Sequence, residues 1–258
     1  MMSLPAIGFF DSGVGGFSVL RHALHRLGGA PVIYYADSAH APYGDRAAAS
    51  VRQRSIDITR SLVDQGAIAV VVACNTATAV AVDALREEFE IPVIGMEPAV
   101  KPAANASRTG RVAVLATAAT LASPRYAQLL QRFAGGVDVT ACACTDWVEL
   151  VEQGDLSSSA ARRRVRRAIE PLRLGAIDTL VLGCTHFPFL QPLIEQEFGG
   201  RVNIIDPGPA VVDQLVRVLG TLETAMPSPC AALSPVTLQG SGCPQSLRRH
   251  YAVLVGGG

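Results

Sequence analysis

The segments VVVACNTAT at residues 70–78 and LVLGCTHFP at residues 180–188 share one pattern, and this pattern indicates the fold class. Each is an apolar run that ends on a cysteine, Cys74 or Cys184, and turns at once to small polar side chains. Short β-rich runs that alternate with longer helical patterns are typical of buried parallel strands in βα units. The sequence therefore predicts an α/β fold of two similar domains, each a mostly parallel sheet flanked by helices.

The apolar runs fall into two groups, in residues 5–97 and 98–206, and each group contains one cysteine-ended run. The runs are AIGFF, VIYYA, AVVVA, IPVIG, RVAVLA, VDVTACA, DTLVLG and VNIID. We therefore predict a first domain of residues 1–97 plus 207–258 and a second of residues 98–206. Residues 220–235 have the composition of a Pro/Ser/Ala linker, and a strand VTLQ and a helix SLRRHYAVL are predicted after it.

Two helical patterns stand out between these runs. AAASVRQRSIDITRSLVDQGA, residues 47–67, has Gly66 as its stop signal. The predicted apolar face of this helix comprises Val51, Ile58, Leu62 and Val63. SAARRRVRRAIEPLRLGA, residues 159–176, is rich in arginine, and we interpret its charges as a solvated helix face rather than a nucleic-acid patch.

The composition is typical of a cytoplasmic globular protein. Of the 258 residues 49% are hydrophobic and 17% charged, and 22 basic residues balance 22 acidic ones, which argues against nucleic-acid or acidic-membrane partners. The start, MMSLPAIGFF, lacks the charged segment of a signal peptide, and no apolar run approaches the ~20 residues of a membrane helix. In the cytoplasm the six cysteines are expected to be reduced.

The lysine content bears on the choice of cofactor. Lys101 is the only lysine, and its place between two prolines in PAVKPAAN does not resemble the Schiff-base site of a pyridoxal phosphate enzyme. Cys142 and Cys144 have no second pair at metal-ligand spacing, and we interpret both as strand residues. We therefore expect chemistry without pyridoxal phosphate and without a metal site.

The paired cysteines indicate a particular chemistry. Ligands of open α/β sheets bind outside the carboxyl ends of the strands, where Cys74 and Cys184 are predicted to lie. A free thiol has a pKa of about 8.5 and can serve as acid or base near neutrality. A hydrolase needs one nucleophilic thiol, whereas inversion of a carbon acid needs one base on each face of the carbon. Two matched thiols fit inversion, although each cysteine taken alone is also explained as a small buried apolar residue.

Three further stretches contain candidate site residues. FFDSGVGGFSVL, residues 9–20, matches neither a dinucleotide nor a Walker A motif, so an anion-binding helix start and a plain turn both stay open. YADSAHAPYGDR, residues 35–46, projects a phenol from a Pro-Tyr-Gly turn that turn chemistry alone also explains. WVELVEQGD places Glu149 and Glu152 three residues apart on a helix, and the pattern does not say which of them faces a site.

The motifs FDSGVGG, PYGDR, ACNTAT and GCTHFP, in this order, resemble those of the glutamate racemases of the cofactor-independent aspartate/glutamate racemase superfamily. IPVIG, GRVAVLAT, VELVEQG and IIDPG extend the resemblance over residues 7–219. It implies two α/β domains of similar fold with the active site in the cleft between them. It also implies interconversion of L- and D-glutamate without a cofactor, which supplies D-glutamate for bacterial peptidoglycan.

The same resemblance implies roles for individual residues. Cys74 would take the proton from D-glutamate, and Cys184 would take it from L-glutamate. Asp11 and His186 would assist the thiols, and Glu152 would support His186. The residues implied for substrate binding are Asp11, Ser12, Pro42, Tyr43, Gly44, Asn75, Thr76, Thr120, Thr185 and His186. Glutamate is the expected small-molecule partner, and a homodimer is the assembly considered.

The chain departs from the family pattern in three places. ACTDW stands before the helix of Glu152 where many members have ACP, and Glu97 in IGMEPAVKPA has no assigned role. The first predicted strand begins within ten residues of the start, so activation by a cell-wall precursor through an N-terminal extension is not expected.

Three alternative functions stay open at this point. One is a sister activity on the same fold, such as aspartate or hydantoin racemisation or maleate isomerisation. Another is a cysteine hydrolase that uses Cys184 and His186 and leaves Cys74 without a task. The third is a two-lobed protein that binds an amino acid without reacting with it.

Overall fold

A computed structural model describes residues 5–173, 175–222 and 233–256. The strands are β1 (Ala6–Asp11), β2 (Val32–Ala36), β3 (Ala67–Val72), β4 (Val93–Gly95), β5 (Arg111–Ala116), β6 (Asp138–Ala143), β7 (Thr179–Gly183), β8 (Asn203–Ile205) and β9 (Val236–Gly240). The helices are α1 (Phe17–Leu24), α2 (Ala48–Asp64), α3 (Asn75–Glu88), α4 (Val100–Ala106), α5 (Ala118–Leu121), α6 (Pro124–Phe133), α7 (Trp147–Glu152), α8 (Ser159–Arg173), α9 (Gln191–Phe198), α10 (Gly208–Leu219) and α11 (Pro244–Leu254). Each of the eight apolar runs forms a strand.

The chain divides into two compact units. The first comprises residues 1–96 and 208–258, and the second comprises residues 97–207. The first contains a five-stranded sheet of order β4-β3-β1-β2-β9, and the second a four-stranded sheet of order β6-β5-β7-β8. Every strand pair in both sheets is parallel. The predicted α/β class with two parallel sheets flanked by helices is therefore confirmed.

The strand register fixes where the polar loops begin. In the first unit Asp11 at the end of β1 pairs with Ala36, the last residue of β2. Phe10 pairs with Val72, the last residue of β3. Because the carboxyl ends of these parallel strands coincide, the loops that follow β1, β2 and β3 leave the sheet along one edge.

The second sheet has the same arrangement at β5 and β7. Ala116 at the end of β5 pairs with Gly183 at the end of β7. The residues that follow these strands, Thr117 and Cys184, therefore leave the sheet side by side.

Helix α2 shows how the sequence pattern becomes packing. Val51, Ile58 and Leu62 are at most 4% exposed, and each such aliphatic side chain contributes roughly 1.5–3 kcal/mol by burial. Val63 is only half-buried, so its predicted place on the buried face is wrong. It follows Leu62 directly, and consecutive residues lie about 100° apart around a helix, which turns Val63 towards the edge of the apolar stripe.

Strand β6 corrects a second prediction. Its run was expected to be a buried strand, but Val139 and Cys142 are only half-buried and its other residues are exposed. The strand is parallel as predicted, and it lies at the outer edge of its sheet, where β5 is its one partner among the described strands. An edge strand has one neighbour, so its apolar residues are less covered than those of β5 or β7.

The arginine-rich helix α8 has the predicted solvated face. Its apolar side packs Ala161, Val165, Ile169 and Leu172 inward. Its arginines form ion pairs, namely Arg164–Glu149, Arg166–Glu197, Arg167–Asp146 and Arg173–Glu170. Acidic neighbours thus offset much of the positive charge that suggested a nucleic-acid patch.

The C-terminal segment completes the first sheet. The predicted strand VTLQ is β9, which pairs in parallel with β2, and the predicted helix is α11. Most of the predicted linker, including Cys230, lies outside the described residues. In the part of the chain that the structure describes, no helix combines the length and apolarity needed to cross a membrane.

Candidate active site

In the first unit, Asp11, Ser12 and Cys74 form a buried chain of polar contacts. The Cys74 thiol donates to Ser12 Oγ over 3.7 Å, and the Ser12 hydroxyl donates to Asp11 Oδ1 over 3.4 Å. Asp11 Oδ1 also accepts from the backbone N–H of Gly13 at 3.0 Å. All three side chains are at most 5% exposed. The chain can therefore carry a proton between the thiol and the carboxylate without contact with bulk water.

Cys74 also caps the N-terminus of helix α3. Its Sγ accepts from the backbone N–H of Ala77 at 3.4 Å. A helix N-terminus carries partial positive charge and favours a thiolate over a thiol. Thr76 lies in the first turn of the same helix and is buried.

Asn75, directly after Cys74, is oriented by a main-chain contact. Its Nδ2 donates to the carbonyl oxygen of Met96 at 3.1 Å. Its Oδ1 is buried and has no hydrogen-bond partner among the residues that the structure describes. A buried amide oxygen without a donor is costly, so this atom is suited to a donor supplied by a ligand.

Asp37, which the sequence reasoning did not single out, is the centre of the loop after β2. Its carboxylate is fully buried. It accepts from Tyr43 Oη at 2.5 Å, Arg54 Nη2 at 2.6 Å and Ser241 Oγ at 2.7 Å, and Arg54 Nε and His40 Nδ1 also contact it. An acidic residue directly after a predicted strand was the available signal, but its partners are remote in sequence.

These contacts set the charge states in the loop. Burial opposes the charged form of Asp37, but the bonds from Arg54, Tyr43 and Ser241 outweigh it and lower the pKa of the carboxyl. Burial, together with the bond to Asp37, raises the pKa of Tyr43 well above its ordinary range. Tyr43 therefore stays a neutral donor, and it anchors the turn that contains Pro42 and Gly44.

In the second unit, Cys184, His186 and Glu152 form a second chain. Cys184 Sγ lies 3.7 Å from His186 Nδ1, and His186 Nε2 lies 2.7 Å from Glu152 Oε1. Thr185 Oγ1 is 3.4 Å from the same Nδ1. Cys184, Thr185 and His186 are at most 6% exposed. The imidazole is therefore held between a thiol and a carboxylate.

The charge of His186 follows from its neighbours. Burial by itself would lower the pKa of His186, but the bonds to Cys184 and Glu152 raise it well above its ordinary value. The ring is consequently an imidazolium at neutral pH, with both ring nitrogens as donors. The Nδ1 atom of this cation lies 3.7 Å from the Cys184 sulfur, within reach of a hydrogen bond.

Packing of α7 selects Glu152 over Glu149. Trp147 at the start of α7 is fully buried, and its ring lies 5.0 Å from the ring of Phe187 in the turn after Cys184. The last residue of the six-residue helix, Glu152, contacts His186, whereas the exposed Glu149 pairs with Arg164. The departure ACTDW therefore leaves a helix that still brings a glutamate to the histidine.

Thr120 lies on the short helix α5, which follows β5 closely. Its hydroxyl accepts from Thr117 Oγ1 at 3.0 Å, and it is 2% exposed. Thr117 follows Ala116, the partner of Gly183, so the two threonines lie on the sheet edge from which Cys184 emerges.

The remaining residues considered in the sequence analysis have contacts outside these two chains. Cys142 is on β6, and Cys144 is the first residue after this strand. Their sulfur atoms are 3.6 Å apart. Glu97 pairs with Arg125. Lys101 lies on α4 with Nζ 5.6 Å from the centre of the Phe133 ring. Within the described residues, no group of three or more His, Cys, Asp or Glu side chains is arranged for a metal ion.

The structure thus gathers the predicted residues into two sets, one in each unit. The first unit contains Asp11, Ser12, Pro42, Tyr43, Gly44, Cys74, Asn75 and Thr76. The second unit contains Thr120, Glu152, Cys184, Thr185 and His186. In each unit, a buried cysteine follows a parallel strand and contacts polar groups that can exchange a proton with it.

Comparison with known proteins identifies the family. A model of the Asp/Glu/Hydantoin racemase family matches residues 13–215. The chain belongs to this family and is an amino-acid racemase, which is an isomerase. Membership argues against a cysteine hydrolase and against a protein that only binds an amino acid.

The chain is similar to individual glutamate racemases in both sequence and structure. The chain is 49% identical to the glutamate racemase of Ectopseudomonas mendocina over 231 residues, which cover 89% of this chain and 88% of that protein. Its fold is similar to the crystal structure of glutamate racemase isoform RacE1 from Bacillus anthracis, with a TM-score of 0.88, 30% identity and coverage of 98% and 95% of the two chains. Escherichia coli glutamate racemase, solved with L-glutamate and the activator UDP-MurNAc-ala, matches with a TM-score of 0.84, 32% identity and coverage of 96% and 95%.

Proposed function

We propose that this racemase interconverts L- and D-glutamate by moving the Cα proton between two thiols, Cys74 and Cys184. The observation that carries the proposal is the pair of buried strand-end cysteines, each with its own proton-exchanging partners. The choice of glutamate is supported by the relatives, which are glutamate racemases. The mechanism requires each thiol to reach one face of the same Cα.

The Cys74 chain supplies one base. The thiol proton passes through the Ser12 hydroxyl to Asp11, and the N-terminus of α3 stabilises the thiolate that remains. This thiolate removes the Cα proton of D-glutamate. In the reverse direction, the Cys74 thiol returns a proton to the same face of the carbanion.

The Cys184 chain supplies the opposite acid and base. When L-glutamate is the substrate, the His186 imidazolium stabilises the Cys184 thiolate that takes the proton, and Glu152 holds the charged ring. When D-glutamate reacts, the Cys184 thiol donates its proton to the carbanion, and the imidazolium stabilises the new thiolate. The two thiols therefore alternate roles with the direction of the reaction.

The remaining polar groups suit an amino acid. Asn75 Oδ1 is buried with no partner in the described part of the chain, and it can accept from the substrate ammonium. The hydroxyl of Thr76 and the backbone N–H groups at the start of α3 can bind a carboxylate. We assign the second carboxylate to Thr120, Thr185 and His186 by their place on the other sheet edge. The Pro42–Gly44 turn and Ser12 complete the proposed contacts.

The only lysine has a position that supports chemistry without pyridoxal phosphate. Lys101 lies on α4 beside Phe133, not at the carboxyl end of a strand. In the proposal, the two thiols therefore exchange protons with the carbanion, and the hydrogen-bonding groups around them hold the substrate. The reaction needs reduced thiols, which fits the cytoplasm, and D-glutamate would enter peptidoglycan synthesis. A homodimer stays a prediction.

The decisive experiment follows the Cα proton by NMR in D2O. Loss of the Cα proton signal of L-glutamate, together with appearance of D-glutamate, is the expected result for the native chain. Aspartate and a hydantoin tested in parallel should react far more slowly. If aspartate or the hydantoin reacted faster than glutamate, the substrate assignment would be wrong.

Serine variants test the two thiols. Cys74→Ser and Cys184→Ser should each lower kcat for racemisation by about 10²- to 10⁴-fold, because serine is a far weaker acid and base near neutral pH. Cys243→Ser is the matched control, since Cys243 is exposed at the start of α11 and should be dispensable. Near-native racemisation of both enantiomers by either site variant would refute the two-thiol mechanism.

A further inference from the structure

The C-terminal strand β9 ends at the loop that carries Tyr43. Ser241, the residue after β9, donates its hydroxyl to Asp37 Oδ1 at 2.7 Å and accepts the backbone N–H of Ala39 at 3.1 Å. Its own N–H donates to the carbonyl oxygen of Ala36. One serine therefore contacts the last residue of β2 and two residues of the loop after it, although 204 positions separate Ser241 from Asp37.

The flanking glycines allow this approach. A Cβ on Gly240 would lie 2.3 Å from the carbonyl oxygen of Ala36, and a Cβ on Gly242 would lie 3.0 Å from Ser38 Cβ. The first distance is impossible without a backbone shift. The GSG sequence thus brings the backbone of residues 240–242 against the loop, with the serine between the two glycines.

Asp37 links Ser241 to the turn that contains Tyr43. The same carboxylate that accepts from Ser241 also accepts from Tyr43 and Arg54. Hydrogen bonds to a buried carboxylate are among the stronger ones, and losing one donor alters the others that share it. The family match ends at residue 215, so Ser241 lies beyond the matched residues.

We propose that Ser241 is a positioning residue for substrate binding: it fixes Asp37, and through Asp37 the turn of Tyr43 and Gly44 that contacts glutamate. Strand β9 then does more than extend the sheet, because the residue that follows it helps to position the substrate-binding turn. The identity of the substrate in this inference rests on the proposed function. The contact between Ser241 and the loop does not depend on that function.

Three variants separate positioning from folding. Ser241→Ala removes the hydroxyl, Ser241→Thr keeps it, and Thr237→Val removes an exposed hydroxyl from β9 itself. For Ser241→Ala the KM for both enantiomers should rise by about 3- to 10-fold, the range that one net hydrogen bond supports, while kcat changes by less than about 2-fold. Ser241→Thr and Thr237→Val should retain the native KM.

Amide hydrogen exchange measures the stability of the loop after β2 in the absence of substrate. In Ser241→Ala the amides of residues 37–46 should exchange faster, because Ala39 has lost its acceptor, and those of β1 and β3 should be unchanged. An unchanged KM, a fall in kcat alone, or native exchange in the loop would overturn the proposal. If the native chain fails to racemise glutamate, the proposed function fails, but the exchange comparison still decides the role of Ser241 in the loop.

Discussion

His186 is flanked by a thiol on one ring nitrogen and by a carboxylate 2.7 Å from the other. A cation with two anionic or ionisable neighbours can keep its proton although it is buried, since their attraction compensates for lost hydration. Both Cys184 and Glu152 raise the pKa of His186. Glu152 therefore contributes to the pH range over which His186 stays charged beside Cys184.

Glu152→Gln should narrow that pH range. The raised pKa of His186 means that its charged form persists from low pH up to the folded pKa and is lost as the pH rises through it. Without the carboxylate the folded pKa falls, so kcat/KM for L-glutamate should decline at a lower pH than in the native chain. A loss of about 10-fold or more at alkaline pH is expected.

Glu149→Gln is the control for this variant. Glu149 is on the same helix, three residues earlier, but pairs with Arg164 and not with the histidine. Its pH profile should match the native one. Superimposable profiles for Glu152→Gln and the native chain would show that the carboxylate does not tune His186.

At the scale of elements, the motif strands and helices follow from local sequence. The apolar runs, the cap position of Cys74 and the three-residue spacing on α7 are all encoded within a few neighbours. The exposure of β6 and the pairing of β9 with β2 depend on which strand lies next to which. Strand periodicity does not specify sheet order, so these features could not be predicted from the sequence.

Gly240→Ala tests how tightly β9 is seated on β2. The new Cβ would lie 2.3 Å from the Ala36 carbonyl oxygen, so the backbone must move, at a cost of about 1–3 kcal/mol. Thermal or urea unfolding should show a lower midpoint. Gly220→Ala is the control, because its Cβ would be 3.5 Å from the nearest atoms, and the midpoint should stay close to native. Equal midpoints for the two variants would contradict the close approach.

At the scale of the whole molecule, each unit has a buried or capped carboxylate that several donors share. Asp37 has this role in the first unit. In the second, Asp178 accepts from Ser107 Oγ at 2.6 Å and from the N–H groups of Arg108 and Thr109 at 2.7 and 2.9 Å. Burial raises the pKa of both carboxyls, but their donors outweigh it, and both folded values lie below the ordinary one.

Acid should therefore destabilise both units. A carboxyl whose folded pKa is lowered contributes stability above its unfolded pKa of about 3.9, and this contribution is lost as the pH falls through the folded pKa. Asp37→Asn and Asp178→Asn should each lower the melting temperature at pH 7, and the difference from the native chain should shrink towards pH 2. For the fully buried Asp37 the loss is about 1–3 kcal/mol.

The exposed Asp45 provides the control for the acid experiment. Asp45→Asn changes one charge in the same loop without touching the Asp37 hydrogen bonds, and its melting temperature should follow the native curve at every pH. A constant difference between Asp37→Asn and the native chain down to pH 2 would show that the carboxylate charge is not the source of stability.

Local patterns of polarity and short motifs encode the α/β class, the two groups of strands and the thiol that follows one strand in each group, so all of these could be predicted from the sequence. The roles of the site residues and the status of the two units as domains stay predictions. Two contacts depend on tertiary packing: Glu152 and not Glu149 contacts His186, and Asp37 accepts hydrogen bonds from both Tyr43 and Ser241. These contacts join residues far apart in the chain, and the order in which strands and helices pack, not their periodicity, determines which side chains meet.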